Sequence, residues 1–399
     1  MSLYGDRGVS TQKEEVHTAT ANLDKGLYPN SFCKLYQDRA DPDYAELLHA
    51  DGAGTKSITA YLYWKETGDN SLFRGIAQDA IVMNTDDMLC VGIHDNFDFS
   101  STIDRNKTRV DGEVLKQLIE GGAGFFDHIQ NVSGINFRYM CGETADVGDA
   151  VRTITVNATM KARWPKDKII ANDKIQAGDV IVGFSSFGQA SYETSYNSGI
   201  GSNGLTSARH DLLRPMYRKK YPETYEPRLQ KRYNGKGREI LYIGKHKLTD
   251  KVDVGNDEEV DVGHLILSPT RTYLPIVKEI LENHFDIVHG MIHCSGGGQT
   301  KIKKFLPDNL RAVKDNLFTP APIFRMIQDS SGENNRNMHE AFNMGHRFEI
   351  IVPKEDAQKV IDISTKYRVD AQIVGRIEES DKPEVIIYPA INKGERLVY

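Results

Sequence analysis

The chain has 399 residues, 39% hydrophobic and 27% charged, with a formal net charge of −6. That length suits two domains better than one core, and the acidic balance argues against broad nucleic-acid binding. No run approaches the roughly 18 apolar residues of a membrane helix, the polar stretch Met1 to Glu15 lacks the form of a secretory signal, and Cys33, Cys90, Cys141 and Cys294 form no C-x-x-C pair, as expected of reduced thiols in a cytoplasmic protein.

The first informative segment is Asp51-Gly52-Ala53-Gly54-Thr55-Lys56, directly after the apolar Leu47, Leu48 and Ala50. Its glycines allow close backbone approach to a polyanion, Thr55 and Lys56 suit phosphate oxygens, and Asp51 suits the Mg²⁺ that accompanies ATP. The G-x-x-x-x-G-K-[ST] spacing of a P-loop is absent, and an ordinary Asp-Gly turn fits the same residues. Next, Ile76, Ala80, Met83 and Asp87 recur at helical spacing, so Asp87 shares a face with apolar residues and needs a partner or a metal. After the strand-like Phe137 to Met140 comes Gly142-Glu143-Thr144-Ala145-Asp146, read as a polar turn. Three acidic stations, Asp51, Asp87 and Glu143, would together form a hard-oxygen Mg²⁺ site; three unrelated surface turns would look the same.

Ile154, Val156, Ala158 and Met160 alternate with Thr155, Asn157 and Thr159, which predicts a half-buried strand within Val151 to Trp164. The charged stretch Pro165 to Asp179 carries the domain boundary near Asp173, giving domains 1–172 and 173–399. Ser202-Asn203-Gly204 reads as a capping segment before a helix. Residues 214–261 are dense in charge and tyrosine, lack periodicity, and read as a surface insertion. A helix stripe of Tyr273, Ile276, Val277, Ile280 and Leu281 opens at Ser268-Pro269. A strand from Ile287 to Cys294 runs into Ser295-Gly296-Gly297-Gly298, ahead of a helix-like Lys301 to Leu306. Backbone N–H groups there suit phosphate, as a flexible connection would also explain. Phe348 to Val352, Lys354 to Tyr367, Ala371 to Ile377 and Val385 to Tyr388 then alternate strand, helix, strand, strand, the pattern of an α/β or α+β domain.

In order along the chain, Tyr4 with Gly8-Val9, Asp51 to Lys56, Asp79 to Gly92, Gly142 to Ala145, Ser202-Asn203-Gly204, Pro269-Thr270-Arg271, His293 with Gly296-Gly297-Gly298, and Phe342-Asn343-Met344-Gly345 resemble the aminoimidazole ribonucleotide synthetase (phosphoribosylformylglycinamidine cyclo-ligase) family. The resemblance implies a two-domain α/β (α+β) fold whose N-terminal sheet builds a barrel shared by two subunits, hence a homodimer. It implies ATP and Mg²⁺ as cofactors and formylglycinamidine ribonucleotide as substrate, with no nucleic-acid or membrane partner. ATP would activate the substrate amide oxygen as an iminophosphate, and a neighbouring nitrogen would close the ring. It further implies catalytic roles for Asp51, Lys56, Asp87 and Glu143; nucleotide contacts from these with Gly52, Gly54, Thr55 and Thr144; metal ligation by Asp51, Asp87 and Glu143; and substrate contacts from Ser202, Asn203, Gly204, Thr270, Arg271, His293, Gly296, Gly297, Gly298 and Asn343.

Three departures stand out. Gly201 occupies a position where the family usually has histidine, Asp86 replaces an asparagine, and Tyr28 to Lys34 replaces a glycine-rich segment. Restoring histidine at Gly201 is expected to leave turnover similar or modestly higher. The alternatives are another ATP-dependent phosphotransferase of the superfamily, selenophosphate synthetase-like or a small-molecule kinase, or a catalytically silent nucleotide-binding scaffold.

Overall fold

The computed structural model describes residues 3–9, 14–231, 239–255 and 257–399. Parts of the polar N-terminal stretch, and residues 232–238 and 256 of the charged segment, lie outside this set.

Five strands form the first sheet, in the order β1 (Tyr36–Gln37), β2 (Tyr44–Gly52), β5 (Ile154–Pro165), β3 (Phe97–Arg105) and β4 (Phe137–Asp146). Alternation decides what each strand buries. Val156, Ala158 and Met160 of β5 face inward with Leu47 of β2 and Phe99 of β3, and pack with the helices Phe73–Leu89 and Gly112–Ser133. The opposite face is open: Leu48 is 71% exposed. β4 pairs only with β3 and is exposed along nearly all of its ten residues. Gly142 to Asp146, expected as a turn, instead continues β4, with Glu143 opposite Thr102 and Ala145 opposite Asp104. An edge strand with one bonded side tolerates polar residues on both faces, so its sequence loses the alternation that marks β5.

The second sheet runs β14 (Leu397–Val398), β13 (Glu384–Ile387), β10 (Leu310–Lys314), β12 (Ala371–Glu379), β6 (Val180–Ser185), β11 (His346–Val352) and β9 (Gly290–His293). β6 and β11 are buried throughout. The hairpin β7 (Lys251–Gly255) and β8 (Glu258–Asp261) stands apart. The helix expected from Ser268-Pro269 begins at Leu274, because residues 268–272 are held in irregular backbone by contacts described below.

The segment 214–261 is not a solvated excursion. Tyr217, Tyr221, Tyr225, Ile240, Leu241, Tyr242 and Leu248 are buried. Tyr217 and Tyr221 stack, and Tyr225 meets Tyr242 edge-on. Glu223 accepts from Tyr61 at 2.8 Å, and Glu66 takes Lys220 at 2.7 Å and Tyr221 at 2.6 Å. Tyrosines supply a core without aliphatic periodicity, since the ring buries while the hydroxyl finds a partner.

Candidate functional site

β2 brings His49 and Asp51 to one face two residues apart, and the helix Phe73–Leu89 carries Asp86 and Asp87 near its end. β9 ends in His293, and β11 opens with His346 and Arg347. These elements converge on Asp87. His293 Nδ1 donates to Asp87 Oδ1 at 2.6 Å, and His49 Nε2 lies 3.3 Å from Asp87 Oδ2. Arg347 bonds His293 Nε2 from the far side. A guanidinium only donates, so that nitrogen accepts and the ring proton sits on Nδ1. Burial alone would raise the Asp87 carboxyl, but hydrogen bonds from His293 and His49 hold it below the usual carboxylate range. Asp51 sits two residues beyond His49 on β2, its carbonyl 3.5 Å from Asn84 Nδ2 on the helix that carries Asp87.

Asp51 is thus placed on the Asp87 side of the first sheet, whereas Glu143 and Thr144 do not join them within this chain. Gly52, Asn157, Thr102 and Glu143 form one cross-strand row, which separates Glu143 from the Asp51 loop by three strand spacings, roughly 14 Å. Two carboxylates still suit Mg²⁺, which is commonly held by one or two side chains with substrate phosphates and water completing the shell.

Lys56 departs from its expected role. Its Nζ is fully buried, 2.8 Å from Asp79 Oδ1 and bonded to the Ser268 carbonyl at 2.6 Å. The same Asp79 oxygen accepts from the Thr270 amide at 2.7 Å and hydroxyl at 2.5 Å, and Thr270 meets Ser202 Oγ at 3.0 Å. A carboxylate inside the following helix, Phe73–Leu89, thus takes the cation that sequence spacing assigns to phosphate. Arg271 is likewise committed, to Glu193 at 3.0 and 2.5 Å and to the Ser185 and Phe187 carbonyls. It buttresses the loop and offers no free fork to an anion.

Gly52 donates to Asp51 Oδ1 at 2.7 Å, Gly54 is exposed, and Thr55 Oγ1 lies 2.9 Å from Thr206 Oγ1. The Ser202–Gly204 loop caps nothing through its side chains. It is held against the glycine triplet, with Asn203 Nδ2 3.8 Å from where a Cβ on Gly296 would lie. Gly297 and Gly298 have positive φ, and a Cβ on Gly298 would meet the His339 and Phe342 carbonyls at 2.5 Å, so this turn requires glycine. The turn leads into a 3₁₀ segment, Gly298–Phe305. Asn343 accepts from Ser186 at 2.9 Å and donates to the Gly199 carbonyl at 2.8 Å, fixing the loop from beneath.

Two of the departures explain each other. Gly201 has φ +68°, and a Cβ there would lie 3.3 Å from Arg347 Cδ. Arg347 in turn donates to Asp86 Oδ2 at 2.8 Å. The arginine fills the space beside Gly201, and the carboxylate at 86 neutralises it.

His49, Asp79 and Arg347 escaped the sequence reading. His49 was legible as the inward neighbour of Asp51 at strand period; Arg347 was a lone cation at the head of an apolar strand. Lys301 follows the triplet, half-buried with its ammonium 5.1 Å from the Phe32 ring, and is a further cation beside the site.

Comparison with known proteins accords with this geometry. Family models described as AIR synthase related protein match the chain twice, the N-terminal domain over residues 30–163 and the C-terminal domain over 235–388. A phosphoribosylformylglycinamidine cyclo-ligase of Methanocaldococcus jannaschii is 31% identical over 339 residues, covering 85% of this chain and 79% of that protein. Among solved structures, a HypE–HypF complex matches with a TM-score of 0.54 and 12% identity, covering 97% of this chain and 99% of that one. Thermotoga maritima PurL complexed with FGAR matches at 0.52 and 13% identity, covering 99% of this chain and 54% of that one, so this chain spans about half its length. At such identities the two structures establish the fold alone. The two matched domains and the 31% relative establish the family: the chain belongs to the AIR synthase-related proteins.

Proposed function

We propose that this protein catalyses the ATP-dependent closure of formylglycinamidine ribonucleotide to aminoimidazole ribonucleotide. The observation that carries this reading is the placement of Asp51 beside the helix whose Asp87 takes His293, in a chain 31% identical to a phosphoribosylformylglycinamidine cyclo-ligase. The amide oxygen attacks the γ-phosphorus and ADP departs. The neighbouring nitrogen then attacks the activated carbon, and the C–O bond breaks to release phosphate as the nitrogen loses its proton. No side-chain nucleophile is required. Holding the two polyanions in register is worth roughly 7–11 kcal/mol. In this reading Asp51 and Asp87 hold Mg²⁺, which supplies charge neutralisation at the phosphates, while Gly52, Gly54 and Thr55 line the nucleotide. Asn203 and the Gly296–Gly298 turn border the substrate. Lys56, Thr270, Arg271 and Asn343 act one step back, as braces.

The same reading includes a homodimer through the first sheet. β4 presents ten residues of unpaired edge beside exposed Tyr139 and Met140, and such an edge calls for a partner. A second copy could also carry Glu143 and Thr144 toward a nucleotide. We take 1–172 and 173–399 as the two domains and the cytoplasm as the compartment, in line with four free cysteines; none of the described helices is long and apolar enough to cross a membrane.

ADP release with and without formylglycinamidine ribonucleotide tests the proposal. Substrate-dependent release supports it. Release driven instead by another phosphate acceptor, or nucleotide binding without release, would favour the kinase or silent-scaffold readings.

A further inference from the structure

Cys33 is brought to the site by the same Tyr28–Lys34 segment that departs from the family pattern. Its Sγ, a ring nitrogen of His49 and a carboxylate oxygen of Asp87 all lie within 4.8 Å of one another. From this convergence we infer a binding site for a thiophilic divalent cation of the zinc class, with Cys33, His49 and Asp87 as ligands.

The donor set carries the argument. Sulfur, imidazole nitrogen and carboxylate oxygen together select zinc-like ions over Mg²⁺, which seeks oxygen alone. Zn–N and Zn–O bonds of about 2.1 Å at a tetrahedral angle put their two donor atoms about 3.4 Å apart; His49 Nε2 and Asp87 Oδ2 are 3.3 Å apart. The ligands are also oriented from behind. Asn84 Nδ2 donates to the Ala80 carbonyl at 2.8 Å, which leaves Asn84 Oδ1 to accept from His49 Nδ1 at 2.9 Å. The proton is therefore on Nδ1, and Nε2 points at Asp87 and Cys33. His293 supports Asp87 from its other oxygen. Such outer contacts fix tautomer and direction at metal sites. A nitrogen facing a carboxylate requires a cation between them, a proton or a metal, and a metal held by Cys33 requires its thiolate. Loading thus releases two protons, one from the Cys33 thiol and one from His49 Nε2, as three metal–ligand bonds form.

The second Cys-His-Glu group, Cys294, His346 and Glu349, does not qualify: the Lys314 ammonium already binds Glu349, and a further cation would be repelled.

Cobalt(II) titrated into the full-length protein without nucleotide is the test. We expect one equivalent to produce a thiolate-to-cobalt charge-transfer band in the near ultraviolet, erased by zinc. Cys33→Ser should abolish it, while Cys141→Ser and Cys294→Ser retain it. X-ray absorption on zinc-loaded wild type, which does not depend on any variant folding, should give one sulfur per zinc. A purely nitrogen and oxygen shell, or a band that survives Cys33→Ser, would overturn the site. Because Asp87 serves both sets, Mg²⁺ with ATP should weaken the band. That arm alone rests on the proposed function, and a band indifferent to Mg-ATP would overturn the sharing of Asp87.

Discussion

Arg347 and Asp86, 261 residues apart in sequence, form a buried ion pair at 2.8 Å beneath the candidate site. The arginine also bonds the Arg271 carbonyl and His293, so one guanidinium ties together β11, β9, the 268–272 loop and the helix of the acidic pair. Removing one partner of such a pair strands the other charge, at a cost of about 3–5 kcal/mol. Arg347→Met should therefore lower stability by that order in urea unfolding. The double variant Arg347→Met with Asp86→Leu should recover part of the loss, since no lone charge remains.

Asp87→Asn removes charge at nearly constant volume. It keeps one acceptor for His293, so folding by circular dichroism should be preserved. Electrostatic stabilisation of a transferring phosphoryl group is worth at least about 10²-fold, and ADP release at limiting Mg²⁺ should fall by that much or more. Wild-type turnover in this variant would remove Asp87 from the metal set.

Gly201→His is now expected to harm the protein. A non-glycine residue in left-handed backbone costs about 1–2 kcal/mol, and the new Cβ would press on Arg347 Cδ at 3.3 Å. Thermal unfolding should shift downward and turnover should not rise. A gain in activity would mean that the loop rearranges to admit the ring.

Buried histidines set the acid limit. Desolvation lowers His339 to about 4, outweighing its bond to the Asn335 carbonyl, and also lowers His210 and His346. The unfolded chain then binds more protons than the folded one below about pH 6.5, so stability present above that value is lost as pH falls toward 4. His339 alone accounts for about 3 kcal/mol. Tm measured from pH 7 to 4 should fall, and His339→Asn, whose amide can still donate to Asn335, should flatten the slope.

The strand β5 and the Asp51 loop were legible because one obeys a period of two and the other carries unusual local chemistry. The role of Lys56 was not, because its partner Asp79 looked like any polar residue of an amphipathic helix; only the fold shows that this carboxylate points at the lysine. Glu143 misled for the opposite reason. Its glycine-containing, polar surroundings imitate a turn, yet they belong to an edge strand whose hydrogen bonds run to β3 on one side only. The tyrosine-built core of 214–261 lacked any aliphatic rhythm to announce it.

Lys56 also constrains how ligands enter. Its ammonium links the start of one helix to Asp79 of the next and to the backbone at Ser268, with Thr270 and Ser202 continuing the chain of bonds. Swinging the two halves apart would strip this buried pair of the Ser268 carbonyl and of the Thr270 amide and hydroxyl that complete its bonding. Opening of that kind is costly, so traffic to the site is left to its rim: the Tyr28–Lys34 segment, the loop after β2 and the glycine triplet. Crosslinks between the halves should be tolerated where crosslinks within that rim are not.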